Sequence, residues 1–284
     1  MSPQRFAINL LDRRAGRSIL GALATRYAKS STRGADIEIR HMEGLWVLRA
    51  GPYSFPSSPA FQYFADSFAK GLMQAEDEVA SSTDYWFQQY QPRAGDVIID
   101  VGAGGGEDAL AFSSAVGPTG RVLAIEAFPA TFKRLELFCR LNRLSNTTPL
   151  MLAIMSRRGS VAMMETGNWE GNTAEWSGDA SRDSVPAITL DELCDEQRIS
   201  QIAFLKMNIE GAEQEAIRGM TASIKRTHAI CIACHDFRAD RGDGEQFRTR
   251  AIIEPFLRDN GFTLLTRPGD RRPFVRDHVY GLRQ

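Results

Sequence analysis

GDVIIDVGAGGGEDAL, residues 95–110, decides how the rest of the chain is read. Val97, Ile98, Ile99 and Val101 are β-branched and flank Asp100, the composition of a buried strand. The run passes directly into Gly102-Ala103-Gly104-Gly105-Gly106, and the spacing from Glu107 to Val116 predicts a helix. Glycines between a strand and a helix let the backbone turn sharply and approach a ligand closely. A dinucleotide fingerprint needs glycine at its first, third and sixth positions. Counted from Gly102, the sixth position is Glu107, so that fingerprint fails. What stands instead is an acid, a spacer, and glycine at every second position: 102, 104 and 106.

Charge points the same way. A helix N-terminus already attracts an anion such as a pyrophosphate. Asp100 before the turn and Glu107 after it would repel one, whereas they would welcome the ammonium and sulfonium of S-adenosylmethionine (SAM). Glu126 closes the next apolar run, twenty residues past Gly106, where a carboxylate can take both hydroxyls of a ribose. That last feature would serve NAD equally well; the glycine spacing is what separates the two cofactors.

Outward from the loop, short apolar runs at 96–102, 121–127, 148–154, 202–209 and 229–235 alternate with helical stretches at 107–116, 129–143 and 211–225. Such alternation predicts a parallel sheet covered on both faces. Residues 261–265 and 278–283 read as two strands joined by a charged turn, an antiparallel hairpin for one sheet edge. The polar stretch 165–186, carrying Trp169 and Trp176, reads as a long loop with a functional part to play.

Upstream, Ile8, Leu11, Ile19, Leu20 and Leu23 have roughly helical spacing, residues 44–56 read as a strand and a turn-rich connection, and 60–90 are helical in pattern. Residues 1–92 are therefore set apart as a segment covering the acceptor site or making an oligomer contact, a homodimer being one possibility. Residues 93–284 form the SAM-binding domain. Residues 1–40 hold eight Lys or Arg against three Asp or Glu, the pattern of a packed helix or of a phosphate-attracting arm. Over all 284 residues, 34 Lys and Arg face 35 Asp and Glu, so no global field draws the chain to nucleic acid or anionic lipid. No stretch reaches 18 apolar residues, so no membrane span is expected. Asp12-Arg13-Arg14 cuts the first apolar run before a signal-peptide core can form, and the expectation is a cytoplasmic protein.

Four stretches together resemble the FkbM family of class I SAM-dependent methyltransferases: 95–110, VLAIEAFP at 122–129, ITLDEL at 188–193 and FLKMNIEGAEQEAIRGM at 204–220. The resemblance implies a Rossmann-like α/β fold with a mostly parallel seven-stranded sheet and SAM over the carboxyl ends of its first strands. It carries cofactor contacts onto Asp100, Gly102, Gly104 and Glu126, with Ala103, Glu107, Ala127 and Phe128 beside them, and places adenine near Ala153 and Ile154. The family usually has Asp in its K-x-D-x-E-G stretch, where this chain has Asn208. Asn keeps the oxygen and loses the charge, which weakens a metal or base role there.

Ligands of open α/β sheets lie beyond the carboxyl ends of the strands. Asn208, Glu210 and His235 are therefore the catalytic candidates, with His235 as general base because its ordinary pKa lies near neutrality. The plainer roles are a helix cap for Glu210 and a strand-end bond to Asp236 for His235. Lys206, inside its strand, is expected to pair with a carboxylate. Cys231-Ile232-Ala233-Cys234-His235 spells a haem-attachment motif, but it alternates as a buried strand. No second pair of ligands stands at zinc spacing, and no metal is assigned. The arginine-rich tail, Arg267 to His278, reads as a solvated turn or as a clamp for an acidic acceptor. The reaction expected is transfer of a methyl group to a hydroxyl of a small molecule, sugar or natural product. A SAM-binding regulatory protein without catalysis and an NAD-dependent oxidoreductase are the rival readings.

Overall fold

The computed structural model describes residues 8–13, 15–31, 36–61, 74–164, 173–176 and 184–283. Its first unit is organised by Trp46. Helix α1 (Arg17–Ser31) lies on an antiparallel sheet of β1 (Ile37–Met42), β2 (Leu45–Ala50) and β3 (Tyr53–Pro56). Glu43 and Gly44 both have positive φ, 51° and 86°, as a tight two-residue hairpin between β1 and β2 requires. Residues 44–56, read as one strand and a connection, are thus two paired strands. Trp46 is fully buried, and its indole N–H donates to Asp12 Oδ1 at 3.0 Å. The other oxygen of Asp12 accepts from the Phe61 amide at 2.7 Å, so one carboxylate ties the residues before α1 both to Trp46 and to the chain after β3.

Helix α2 (Gln74–Trp86) leads into the main sheet. Trp86 and the adjoining Phe87 share one buried cluster with Phe112, Phe204 and Tyr280, so this stretch packs with the sheet that follows it. The apolar runs become β4 (Val97–Val101), β5 (Arg121–Ile125) and β6 (Thr147–Leu150), alternating with α3 (Glu107–Val116) and α4 (Pro129–Leu141). Asn142, after α4, exchanges two hydrogen bonds of 2.8 Å with the Ser54 backbone and docks the N-terminal unit.

The run at 148–154 breaks after β6. Its end, β7 (Ala153–Ile154), joins β8 (Gly159–Met164), β9 (Thr173–Trp176) and β10 (Ser184–Ile188) in a second, four-stranded sheet of order β7-β10-β8-β9. The stretch read as a polar loop therefore contains two strands. Trp169 lies outside the described residues. Trp176 packs over Gly159, where a Cβ would come within 3.0 Å of the indole, and Arg157 stacks on its ring at 4.3 Å.

After α5 (Leu190–Glu196) come β11 (Ile202–Met207), β12 (Thr227–Ala233), β13 (Phe262–Thr266) and β14 (His278–Arg283). The seven-stranded order is β13-β14-β12-β11-β4-β5-β6, with β14 antiparallel to both of its neighbours and the other pairings parallel. The hairpin at the edge is as the sequence predicts. The chain builds outward from β4 to β6 on one side and from β11 onward on the other. Between β4 and β11 the direction of winding reverses, and a crevice opens there at the carboxyl ends.

The stretch 211–225 is not one helix. It is broken into short turns, at Glu213–Ala216, Ile217–Gly219 and Ser223–Arg226. Asp191 organises the break: its carboxylate accepts from the amides of Thr221, Ala222 and Ser223 and from the hydroxyls of Thr221 and Ser223, at 2.5–2.9 Å. Thr189 and Glu192 form a reciprocal capping box at the start of α5. The ITLDEL motif is thus a folding motif in this chain. Asp191→Ala strips five donors of their acceptor and is expected to lower stability by about 2–4 kcal/mol. Urea unfolding would measure it, and a loss under ~0.5 kcal/mol would contradict this account.

Candidate active site

At the winding reversal, β4 and β11 run side by side with Asp100 directly opposite Lys206. Residues in register on parallel neighbours point to the same face, so the two side chains meet. Lys206 Nζ lies 2.8 Å from Asp100 Oδ1, with both residues buried. The same ammonium donates to the Gly102 carbonyl at 2.7 Å and lies 3.6 Å from Asp108 Oδ2. Burial alone would drive Lys206 neutral, but Asp100 and Asp108 hold it above the usual lysine range. Burial pushes Asp100 up to about 6 against the pull of Lys206. The pairing expected of Lys206 is found. Asp100 itself does not line the cavity, whereas its partner Lys206 does.

The loop above this pair explains its glycines. Gly102, Gly104 and Gly106 have φ of 81°, 58° and 101°, a region that side-chain-bearing residues rarely adopt. At Gly102 a Cβ would fall 1.9 Å from the Asn208 carbonyl, since the ends of β4 and β11 cross there in close contact. Alternate glycine is what a chain needs to reverse over a neighbouring strand and enter α3.

Around the loop opens a cavity of about 240 Å³. Gly102, Ala103, Gly104, Glu107, Glu126, Ala127, Phe128 and Ala153, the other candidate cofactor residues, all line it. Glu126 clamps the loop: one carboxylate oxygen accepts from the Gly104 amide at 3.0 Å and the other from the Phe128 amide at 2.8 Å. Burial pushes its pKa up to about 7, against those two bonds. Glu107 pairs with Arg134 at 2.9 Å. Leu152, Ile154 and Met163 give one end an apolar wall.

Asn208 and Glu210 also line the cavity, and Asn208 Oδ1 is buried without a hydrogen-bond partner among the described residues. Glu210 adopts a left-handed backbone, φ 54°, just before Gly211. Such backbone outliers gather where a side chain has to be aimed. Its carboxylate accepts from Arg238 at 2.6 Å and lies 3.3 Å from His235 Nε2. The helix-cap role considered for Glu210 is not found: the turn Glu213–Ala216 has no side-chain cap, and Glu213 instead accepts from the amides of Ile209 and Gly211 ahead of it.

His235 is buried behind the wall and does not line the cavity. It sits between Glu210 and Glu213, 3.3 Å from each, not against Asp236. Burial favours the neutral ring, but the two carboxylates outweigh it and raise the pKa to about 10. Asp236 instead accepts from the Arg250 amide. In the arginine-rich tail the turn residues 268, 269 and 271 are exposed, while Arg267 and Arg272 both pair with Asp84 and Asp270, fastening the end of α2.

Two functional neighbours escaped the sequence reading. Asp108 lines the cavity and accepts from the Ser82 hydroxyl and the Trp86 indole, at 2.7 and 2.8 Å. Lys206 lies 5.0 Å from the Trp86 ring centroid. Only the aromatic density near residue 86 hinted at this contact, because no sequence spacing links it to the glycine loop. Removing the cation tests how far the network depends on Lys206. Lys206→Met is expected to cost about 3–5 kcal/mol by leaving Asp100 buried with no counter-charge. Adding Asp100→Asn should recover most of that in urea unfolding, and additive losses would sink the coupling.

Residues 100–264 match the family described as "Methyltransferase FkbM domain". No curated protein matches the chain at a significant level. Similar solved structures include a methyltransferase FkbM from Methylobacillus flagellatus, 18% identical with a TM-score of 0.49, over 70% of this chain and 47% of that one. The chain thus spans about half the length of that relative. A SAM-dependent methyltransferase from Aquifex aeolicus is 15% identical with a TM-score of 0.41, over 72% and 87% of the two chains. Aeropyrum pernix fibrillarin, solved with natively bound S-adenosyl-L-methionine, is 14% identical with a TM-score of 0.42, over 87% and 100%. Among the described residues no helix is long and apolar enough to cross a membrane. With its glycine loop, clamped Glu126 and family match over more than half its length, the chain belongs to the FkbM methyltransferase family.

Proposed function

We propose that this chain binds SAM in the cavity at the β4–β11 crevice and transfers its methyl group to a hydroxyl of a small molecule, sugar or natural product. The observation that carries the reading is the pairing of a clamped acid, Glu126, with a buried and unpartnered amide oxygen, Asn208 Oδ1, on the rim of one glycine-lined cavity. Each Glu126 oxygen spends one lone pair on a backbone amide and keeps another for a ribose hydroxyl. The apolar wall of Leu152, Ala153, Ile154 and Met163 suits adenine. An orphaned buried acceptor such as Asn208 Oδ1 calls for a donor, and an ammonium supplies one. Carboxylates at Glu107 and Asp108, at the start of α3, disfavour a pyrophosphate and hence NAD.

SAM supplies a methyl on sulfonium that an oxygen lone pair displaces in line, the C–S electrons staying with sulfur. What is left to the protein is alignment and removal of the hydroxyl proton. Glu210 accepts the hydrogen bond of the acceptor hydroxyl from the cavity edge. Arg238 and protonated His235 fix its carboxylate and keep its pKa below the usual range despite burial. His235 is then a positioning residue, since an imidazolium has no lone pair for a proton. The stretch Asn208-Ile209-Glu210-Gly211 lacks the N-P-P-Y spelling of many amino-methylating enzymes, which favours oxygen as the acceptor atom.

Calorimetric titration with SAM tests the cofactor. Micromolar binding is expected, strengthening with pH up to about 7 as Glu126 ionises and levelling above it, by up to about tenfold per unit below. Glu126→Gln should weaken binding and flatten that dependence, while NAD binding in place of SAM would overturn the assignment. For His235, folding raises the pKa from 6.5 to about 10. The stability it contributes is therefore complete below about 6.5 and lost as pH climbs through 10. His235→Gln should remove that slope from a pH series of unfolding midpoints. A kcat/KM limb near pH 6.5 that vanishes in the same variant would instead make His235 the base.

A further inference from the structure

The N-terminal unit carries a second feature that the methyl-transfer reading does not use. Between α1 and β1 lies an open cleft of about 620 Å³, lined by Arg17, Arg26, Lys29 and Arg40 against a single acid, Glu38. Arg17 is paired with Asp12 at 3.2 Å, and Glu38 is taken by Arg49 at 3.3 Å. Arg26, Lys29 and Arg40 are exposed, and no carboxylate among the described residues pairs with them. His41 Nε2 lies buried in the same cleft with no partner among the described residues. The flank of α1 beside these cations is apolar and uncovered. Ile19, Leu23 and Tyr27 follow at four-residue intervals, so they form one stripe, and they are 56%, 56% and 72% exposed. Leu10, before the helix, is 53% exposed as well.

We propose that α1 is a membrane-surface helix, which seats the protein on an anionic lipid bilayer. The Ile19–Leu23–Tyr27 stripe enters the headgroup boundary, while Arg26, Lys29 and Arg40 take lipid phosphates in the cleft behind it. A helix with an apolar stripe and basic residues along its edge is the pattern of an interfacial helix. Two other occupants fit less well. A second copy of this chain, packed on the same face about a two-fold axis, would bring two sets of uncompensated cations together. Nucleic acid would satisfy the cations and leave the apolar stripe in water. With a net charge of −1, the attraction would be local to this face.

Co-sedimentation of the full chain with vesicles tests this. Binding is expected to vesicles of phosphatidylcholine with about 30% phosphatidylglycerol, to fall steeply with added salt, and to be absent on pure phosphatidylcholine. Arg26→Glu with Lys29→Glu should weaken binding at least about tenfold. Ile19→Ser with Leu23→Ser should do so to a similar extent. SAM titration of each variant, reading a site on the other side of the fold's docking contact, checks that it is folded; Arg40→Glu replaces any that is not. No retention on anionic vesicles would overturn the proposal. So would loss of binding in only the charge variant together with tight binding of a single-stranded oligonucleotide, or a dimer in light scattering that the serine variants dissociate.

Discussion

The contact on which the active-site end of the molecule depends is the buried pair of Lys206 and Asp100. It joins the two strands that flank the winding reversal, and Lys206 also holds the carbonyl of the first glycine in the loop. Through Asp108 it reaches α3, and through the Trp86 indole and Ser82 hydroxyl it reaches α2. One cation thus fixes the relative positions of β4, β11, the glycine loop and the segment before the sheet. A buried pair of this kind adds little net stability compared with apolar packing. What it adds is specificity: the loop has one position in which Lys206 reaches the carbonyl of Gly102, Asp100 and Asp108 together.

A second layer of carboxylates does for the backbone what Lys206 does for charge. Turns at strand ends leave amides that neither sheet nor helix can satisfy. Glu126 takes those of Gly104 and Phe128, Glu213 those of Ile209 and Gly211, and Asp191 those of residues 221–223. At the crevice, the loops holding Gly104, Phe128 and Ile209 are thus fastened by the side chains of Glu126 and Glu213.

The parallel sheet and its cofactor crevice were legible because they depend on local pattern. β-branched runs, an interval of twenty residues to Glu126 and alternate glycines are all read along the chain. The second sheet was not legible: its strand Thr173–Trp176 is short, polar and surrounded by polar sequence, and it is a strand because β8 lies beside it. His235 illustrates the same limit. Its surroundings are set by Glu210 and Glu213, more than twenty residues away and on either side of it, which no local spacing shows. The pairing of Asp100 with Lys206 was not legible either, since only the register of β4 on β11 turns the two side chains toward each other.

Register also gives a reason for Asn208, where the resembling family usually carries Asp. Asn208 stands just past the end of β11, two residues after Lys206, and shares its cavity with Glu107, Asp108, Glu126 and Glu210. Lys206 is the cation at the floor of that group, and it is already committed to Asp100 and Asp108. Glu126 is raised to about 7 by burial, with Asp100 adding to the rise. A further buried carboxylate at 208 would raise it again, by the same like-charge effect, and begin to neutralise the acid that clamps the glycine loop. An amide keeps the acceptor oxygen aimed into the cavity without that penalty. The substitution therefore spares Glu126 a further like charge and leaves Glu210, held below the usual carboxylate range by His235 and Arg238, as the ionised acid at this edge of the cavity.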